Sequence, residues 1–206
     1  MATAQAGVVL CGPPCVGKTV SGRLLADALG WSCVDADLGQ ASWLAERGWG
    51  DGSFGRRVSE VGRHQAYLEY EVLMADYLGA MLAEHPAGVV ALGAGHAHAL
   101  GSEAANRMVG TLRDEPRPVV RLLPERDSAA SCAVVRARVS SRGDDTYRRP
   151  GRDLIAEWTE SQVMKVASDH TLYTHQDDPA AVADSLARLL TATRGPSGCR
   201  VRADGQ

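Results

Sequence analysis

Eight consecutive residues constrain this 206-residue chain more than any others. Gly12-Pro13-Pro14-Cys15-Val16-Gly17-Lys18-Thr19 satisfies G-x-x-x-x-G-K-[ST] in full. Ahead of it, Gly7-Val8-Val9-Leu10-Cys11 is a short apolar run that predicts a buried parallel strand. Behind it, Leu24, Leu25, Ala28 and Leu29 recur at helical spacing within Val20 to Leu29, and Gly30 is a stop signal. A strand, a glycine-rich bend and a helix in that order form a phosphate cradle. Glycines let the backbone wrap closely and turn its N–H groups inward, and the positive end of the helix dipole faces the same point. Gly12, Pro13, Pro14, Cys15, Val16, Gly17, Lys18, Thr19 and Val20 are therefore the candidate nucleotide-binding residues. Lys18 is placed to reach the β- and γ-phosphates of ATP, and the Thr19 hydroxyl to ligate Mg²⁺. Only Lys18 and Lys165 are lysines among 22 basic residues, so a lysine at position 18 stands out in a chain that otherwise uses arginine.

Further strands follow at regular intervals. Ser32-Cys33-Val34, Gly88-Val89-Val90-Ala91-Leu92, Pro118-Val119-Val120-Arg121-Leu122-Leu123 and His170-Thr171-Leu172-Tyr173-Thr174 read as strands two to five. A long helix is expected over about Val58 to Ala83, with Tyr67, Tyr70, Leu73, Met74, Tyr77, Leu78 and Met81 on one side and Pro86 after its end. Pro179 to Leu190 reads as a last helix with proline near its start. Gly48 to Gly55 reads as a mobile glycine-rich loop, and residues 194–206, without periodicity, as a disordered tail. Alternating strands and helices imply an α/β domain over residues 1–193: a parallel sheet covered on both faces, in three α/β/α layers.

Composition narrows the partners. A net charge of −3 gives no reason to expect nucleic acid, and no apolar run reaches the roughly 18 residues of a membrane span. Met1 to Gly7 lacks the basic and apolar blocks of a secretory signal. Five cysteines, without a C-x-x-C pair, suit reduced thiols. A cytoplasmic monomer or homodimer acting on a small molecule is the expectation.

Asp35-Ala36-Asp37 follows the second strand. Carboxyl ends of strands in an open parallel sheet point at the ligand crevice. Carboxylates there either orient Mg²⁺ through water or take a proton from an attacking hydroxyl; the alternative is a solvated acidic turn.

Gly12 to Leu29, followed by Val34-Asp35-Ala36-Asp37, resembles the opening of shikimate kinases. Gly93-Ala94-Gly95 sits where that family has three glycines. His170-Thr171-Leu172-Tyr173-Thr174 and Asp178-Pro179-Ala180-Ala181-Val182 resemble its last strand and helix. The resemblance spans most of the chain and is sharp over the first forty residues. It implies a P-loop NTPase domain of the nucleoside-monophosphate-kinase type, with five parallel strands and a lid, using ATP and Mg²⁺. It also implies that Asp35 lies near the metal, that Asp37 binds the acceptor hydroxyl as base or orienter, and that Gly93, Ala94 and Gly95 shape the acceptor pocket.

The chain departs from the family where the acceptor's carboxylate is held. Shikimate kinases carry F-R-x-x-E on the long helix. Here, anchoring on Glu69 puts Ala66 at the arginine position, and anchoring on Glu71 puts Leu68 there. A second family arginine precedes the last strand, whereas Glu157 to Ala167 holds only Lys165. A bidentate carboxylate clamp needs the guanidinium fork, so the expected acceptor is not shikimate. Arg56, Arg57 and Arg63 are the candidate substitutes, with Arg63 taken as the acceptor-site residue. His96 and His98 contact the acceptor, or ligate a metal at i, i+2, or are ordinary loop histidines; His96, nearer the strand end, is the preferred acceptor contact. Trp43, Trp49 and Phe54 either stack on the acceptor or pack the domain.

Six arginines fall between Arg136 and Arg152, a segment with the composition of a lid at about 138–152. An arginine delivered by a closing lid stabilises the transferred phosphoryl charge. Arg142 and Arg138 are the first choices for that role, and Arg149, from an Arg-Pro pair like that of the family lid, contacts the nucleotide. Three readings follow. The first is an ATP-dependent kinase that phosphorylates a hydroxyl of a small molecule, an antibiotic-modifying phosphotransferase included. The second is a non-catalytic ATP-binding regulatory module. The third, an NTP hydrolase, is opposed by the lack of an acidic residue at the end of Gly88 to Leu92.

Overall fold

The computed structural model describes residues 6–143, 147–149, 152–175 and 178–193. In chain order its elements are β1 (Gly7–Cys11), α1 (Lys18–Leu29), β2 (Cys33–Asp35), α2 (Asp37–Glu46), α3 (Ser53–Val61), α4 (Arg63–Glu84) and β3 (Gly88–Ala91). After a 3-10 turn at Ala94–Ala97 come α5 (Ser102–Asp114), β4 (Val119–Leu123), α6 (Ser128–Ser141), β5 (Arg148–Arg149) and β6 (Arg152–Asp153). Then α7 (Leu154–Thr159), α8 (Gln162–Ala167), β7 (His170–Tyr173) and α9 (Pro179–Thr193) follow, the last of the elements among the described residues.

Five strands form one parallel sheet in the order β2-β3-β1-β4-β7, while β5 and β6 pair separately as a small antiparallel hairpin. Successive strand residues point to opposite faces, and both faces are covered. Val9, Cys11, Val90 and Val119 pack under Met74 and Leu78 of α4, Met108 and Leu112 of α5, and Val163 and Met164 of α8. Val8, Leu10, Val89, Val120 and Leu122 pack under Leu25 of α1, Val135 of α6 and Leu186 of α9. Unbroken apolar strands such as Val-Val-Leu-Cys are what burial on both sides requires. Among the described residues no helix is long and apolar enough to cross a membrane.

The long helix expected over 58–83 is two helices, α3 and α4, and the break is Gly62. Its backbone (φ 83°, ψ 158°) lies in a region open to glycine alone, so no helix passes through it. Of the glycine-rich stretch 48–55, residues 48–52 form a short turn with Gly48 (φ 78°) and Gly52 (φ 76°) left-handed, and Ser53 to Gly55 already belong to α3. Helix α2 lies over a stretch with no apolar periodicity, and only Leu44 of it is buried. The expected tail, 194–206, lies outside the described residues, as do positions 144–146 and 150–151 of the expected lid.

Every loop that matters to the site leaves the carboxyl end of a sheet strand. The phosphate loop follows β1, Asp35 ends β2, and Gly93 follows β3. Because all five strands run parallel, those loops emerge on one edge, at the reversal of strand order between β1, β3 and β4.

Candidate active site

The phosphate loop has the geometry its glycines require. Gly12 (φ 142°) and Gly17 (φ 90°) take backbone conformations that side-chain-bearing residues rarely adopt, and a Cβ at Gly12 would stand 2.4 Å from the Leu122 carbonyl oxygen. Cys15, with φ 59°, is left-handed without being glycine. Pro13, Pro14 and Val16 are buried in the loop, whereas Val20 is exposed on the first turn of α1. Gly17 is the N-cap of α1 and offers no side-chain hydrogen bond, so the first N–H groups of the helix are free to face a ligand.

Lys18 is only 8% exposed. Its Nζ donates to the Gly12 carbonyl at 2.9 Å and the Pro13 carbonyl at 2.7 Å, folding the ammonium over the loop. Burial pulls its pKa down from 10.5 to about 8, against the upward pull of Cys11, Asp37 and nearby acidic groups. The group is a buried ammonium that still holds its proton at neutral pH.

Thr19 Oγ1 donates to Asp35 Oδ2 at 2.9 Å. The other carboxylate oxygen, Oδ1, accepts the Asp37 backbone N–H at 3.1 Å and so steadies the first turn of α2. Two hard oxygen donors from separate elements thus meet beside Lys18. Among the described residues no group of three or more His, Cys, Asp or Glu side chains is arranged to hold a metal. A hydroxyl and a carboxylate suit Mg²⁺, which takes one or two protein oxygens and fills the rest of its shell from phosphates and water.

Asp37 stands in the crevice, 66% exposed, with Oδ1 3.7 Å from His96 Nε2. Gly93 has ordinary extended backbone (φ −62°, ψ 156°), so its need for glycine is one of space. A Cβ there would lie 2.0 Å from Asp37 Oδ1 and 3.0 Å from His96 Cε1. Ala94 is half-buried beside it; Gly95 is exposed, and a Cβ there would meet nothing within 4 Å.

His96 is buried, 2% exposed, with both ring nitrogens engaged. Nδ1 accepts the Gly93 N–H at 3.0 Å, which puts the ring proton on Nε2, and Nε2–H donates to Gln40 Oε1 at 2.8 Å. Gln40 Nε2 donates in turn to the Tyr70 hydroxyl at 2.9 Å. Burial lowers the His96 pKa, which favours the neutral ring this pattern needs. The structure therefore places His96 behind the crevice wall. His98 turns elsewhere, with Nε2 3.6 Å from Glu157, so the two imidazoles do not converge on one point.

The arginines divide by location. Arg138 on α6 donates to the Cys15 carbonyl at 3.2 Å and the His175 carbonyl at 3.1 Å, joining the phosphate loop to the loop after β7. Arg142 caps α6 and is exposed. The side chain of Arg149 lies outside the described residues. Arg63 is exposed at the first position of α4. Arg57 is committed to Glu69 on α4 through two hydrogen bonds of 2.5 and 2.8 Å, and Arg56 to the Ser53 hydroxyl at 3.1 Å. An aromatic cluster joins α3 and α4: Phe54 meets Tyr67 at 4.9 Å and Tyr70 at 6.1 Å between ring centroids, and Trp49 meets Tyr70 at 6.0 Å. Trp43 packs edge-on against Tyr77 at 5.3 Å.

Three further polar side chains stand out: Arg152 is one of the six arginines of the expected lid, whereas Gln40 and Arg121 carried no functional expectation. Gln40 lies on α2, the helix without periodicity. Arg152 reaches over Tyr67 at 5.2 Å from the ring centroid while paired with Glu157. Arg121 is the third: a guanidinium 8% exposed, donating to the Thr159 carbonyl, with its Nε lacking a hydrogen-bond partner among the described residues. Its signal was visible as one charged residue inside the strand Val-Val-Arg-Leu-Leu.

Known proteins give this geometry a context. No protein-family model matches the chain. A shikimate kinase from Oleidesulfovibrio alaskensis is 28% identical over 193 residues, covering 90% of this chain and 97% of that protein. In fold, the chain is similar to the shikimate kinase from Acinetobacter baumannii in complex with shikimate, with TM-score 0.61, 17% identity, and 91% and 94% of the two chains covered. It is also similar to the shikimate kinase from Aquifex aeolicus, with TM-score 0.52, 22% identity, and 93% and 99% covered. The fold is that of a shikimate kinase-like P-loop kinase.

Proposed function

We propose that this shikimate kinase-like fold serves an ATP-dependent phosphotransferase that moves the γ-phosphate of ATP to a hydroxyl of a small molecule other than shikimate. The convergence of Lys18, the Thr19–Asp35 pair and Asp37 on one crevice carries this reading. In this reading the N–H groups of the loop and of the first turn of α1 bind the phosphates, and Lys18 turns from the Gly12 and Pro13 carbonyls to them. Thr19 and Asp35 would hold Mg²⁺, which when bound supplies charge neutralisation across the β- and γ-phosphates. Asp37 accepts a hydrogen bond from the acceptor hydroxyl, orients it toward the γ-phosphorus and takes its proton as the new O–P bond forms and the bond from that phosphorus to the bridging oxygen breaks, releasing ADP. Arg138, already on the Cys15 carbonyl, and Arg142 absorb charge on the transferred group. Positioning and preorganised charge supply most of the rate.

The acceptor differs from shikimate in this reading because α4 offers Ala66 and Leu68 where a carboxylate clamp would need arginine, and Arg57 is already bound to Glu69. The experiment is ADP release from MgATP with a panel of sugars, cyclitols, nucleosides, hydroxylated antibiotics and shikimate. An acceptor-dependent rate is expected, and Asp37→Asn should lower it by about 10²–10⁴ with ATP affinity nearly intact. An unchanged rate in that variant defeats the role of Asp37. ATP binding without turnover on any alcohol would instead support a non-catalytic ATP-binding module.

A further inference from the structure

We infer that His96 and Gln40 form a positioning pair that fixes the Asp37 carboxylate, an assignment that rests on the reading of Asp37 as the group that orients the acceptor hydroxyl. An exposed carboxylate samples several rotamers unless its surroundings restrict it. Asp37 is bounded on one side by the bare α-carbon of Gly93 and on another by His96 Nε2 at 3.7 Å.

The imidazole is itself held. The Gly93 N–H grips Nδ1 at 3.0 Å, and the Tyr77 ring meets it edge-on with centroids 5.3 Å apart. The Tyr77 hydroxyl is anchored at the Ala36 carbonyl, 2.5 Å away. Nε2–H therefore projects in one direction, onto α2, where Gln40 Oε1 accepts it at 2.8 Å and Asp37 Oδ1 lies one turn earlier. Gln40 is fixed from its far side by Tyr70 on α4.

A separation of 3.7 Å is beyond a hydrogen bond, so with its N–H donated to Gln40 the ring bounds Asp37 by contact and by the polarity of Nε2. One ring thus accepts from the glycine that leaves room for Asp37 and walls the space in which the carboxylate lies. Phenylalanine keeps the volume of that ring and loses both polar functions; glutamine keeps a donor near the position of Nε2.

Three variants test the pair. His96→Phe should lower kcat by about 10–100-fold on whichever panel acceptor releases ADP from MgATP, with KM for MgATP within about twofold. His96→Gln should recover part of that loss. On an Asp37→Asn background His96→Phe should cost less than about twofold, because the residue it positions is already disabled. A kcat within about twofold of wild type in His96→Phe, or an equal loss on both backgrounds, overturns the assignment.

Two crystallographic readouts need no turnover, and so separate this assignment from the proposed activity. In ligand-free His96→Phe the Asp37 side chain should occupy more than one rotamer. Gln40→Leu removes the acceptor of Nε2–H and leaves the charged Asp37 Oδ1, 3.7 Å away, within reach, so the separation should close to about 2.9 Å. A single unchanged Asp37 rotamer in the first variant, or an unshortened separation in the second, counts against the pair, and the Gln40 variant gives its answer even where His96→Phe fails to fold.

Discussion

The carboxylate of Asp37 rests against the α-carbon of Gly93, so closely that a methyl group there would stand 2.0 Å from Oδ1. The first residue of α2 and the second residue after β3 are thereby locked into one spatial unit, although 56 positions separate them in the chain.

Gly93→Ala should act on catalysis with little effect on folding. The severe clash falls on the end of the exposed Asp37 side chain, so the carboxylate is driven from its place, while the buried His96 ring, 3.0 Å from the same Cβ, has to give by only a few tenths of an ångström and the backbone stays. A displacement of about 1 Å at a reacting group costs on the order of 10²-fold. Acceptor-dependent kcat should fall by about that factor, with ATP affinity within about twofold and an unchanged melting temperature. Wild-type turnover in the variant would detach Gly93 from the site.

Asp35→Asn should weaken the dependence on magnesium. Both carboxylate oxygens accept, one from Thr19 and one from the Asp37 N–H. An amide offers one acceptor in place of two, and no charge. Titrating Mg²⁺ against ADP release should show the midpoint displaced by about 10–100-fold, whereas binding of metal-free ATP stays close to wild type. An unmoved midpoint would remove Asp35 from the metal site.

Lys18 carries a pH signature. In the unfolded chain it holds its proton up to about pH 10.4; in the fold, burial lets it go at about 8. Between those values the unfolded state binds more protons, so the stability of ligand-free protein rises with pH; below about 8 both states are protonated and the burial penalty is present in full. Lys18→Met has no charge to bury, although it gives up the hydrogen bonds to the Gly12 and Pro13 carbonyls. Its stability relative to wild type should therefore fall as pH rises from 8 to 10 and hold steady below about 7. Melting curves of both proteins across pH 7–10 check this, and a constant difference between them would contradict it.

Two glycines near one helix should respond in opposite directions. Gly62, between α3 and α4, has open space where a Cβ would go, so Gly62→Ala should destabilise through backbone strain alone, by about 1–3 kcal/mol. Gly79, inside α4, also has open space, and Gly79→Ala should stabilise by about 0.5–1 kcal/mol. Chemical denaturation of the two variants decides both signs.

Gly62 also shows where reading along the chain stops. The apolar side of α4 begins only a few residues later, so periodicity runs past the break, and glycine within a helical pattern is commonly tolerated. Nothing local announces a φ of 83°. Arg121 is a second case. Its place in a strand was readable, but where its guanidinium ends depends on the Thr159 carbonyl, 38 positions away. His96 is the third: as a loop histidine beside a glycine patch it suggested a ligand contact, and only the approach of Gln40 and the closing of Gly93 over Nδ1 put it behind the wall.

The phosphate loop, its flanking strand and helix, and the acidic end of β2 were legible because each is written in a short contiguous run. Backbone sterics, glycine freedom and helix-end polarity act over a handful of neighbouring residues, so the order of those residues determines the shape. The crevice opposite is assembled from β2, α2, α4 and the turn after β3, none with a side-chain arrangement of its own. Packing of those elements across the sheet decided which carboxylate meets which glycine and which imidazole, because contacts between distant segments exist only once the hydrophobic layers have brought them together.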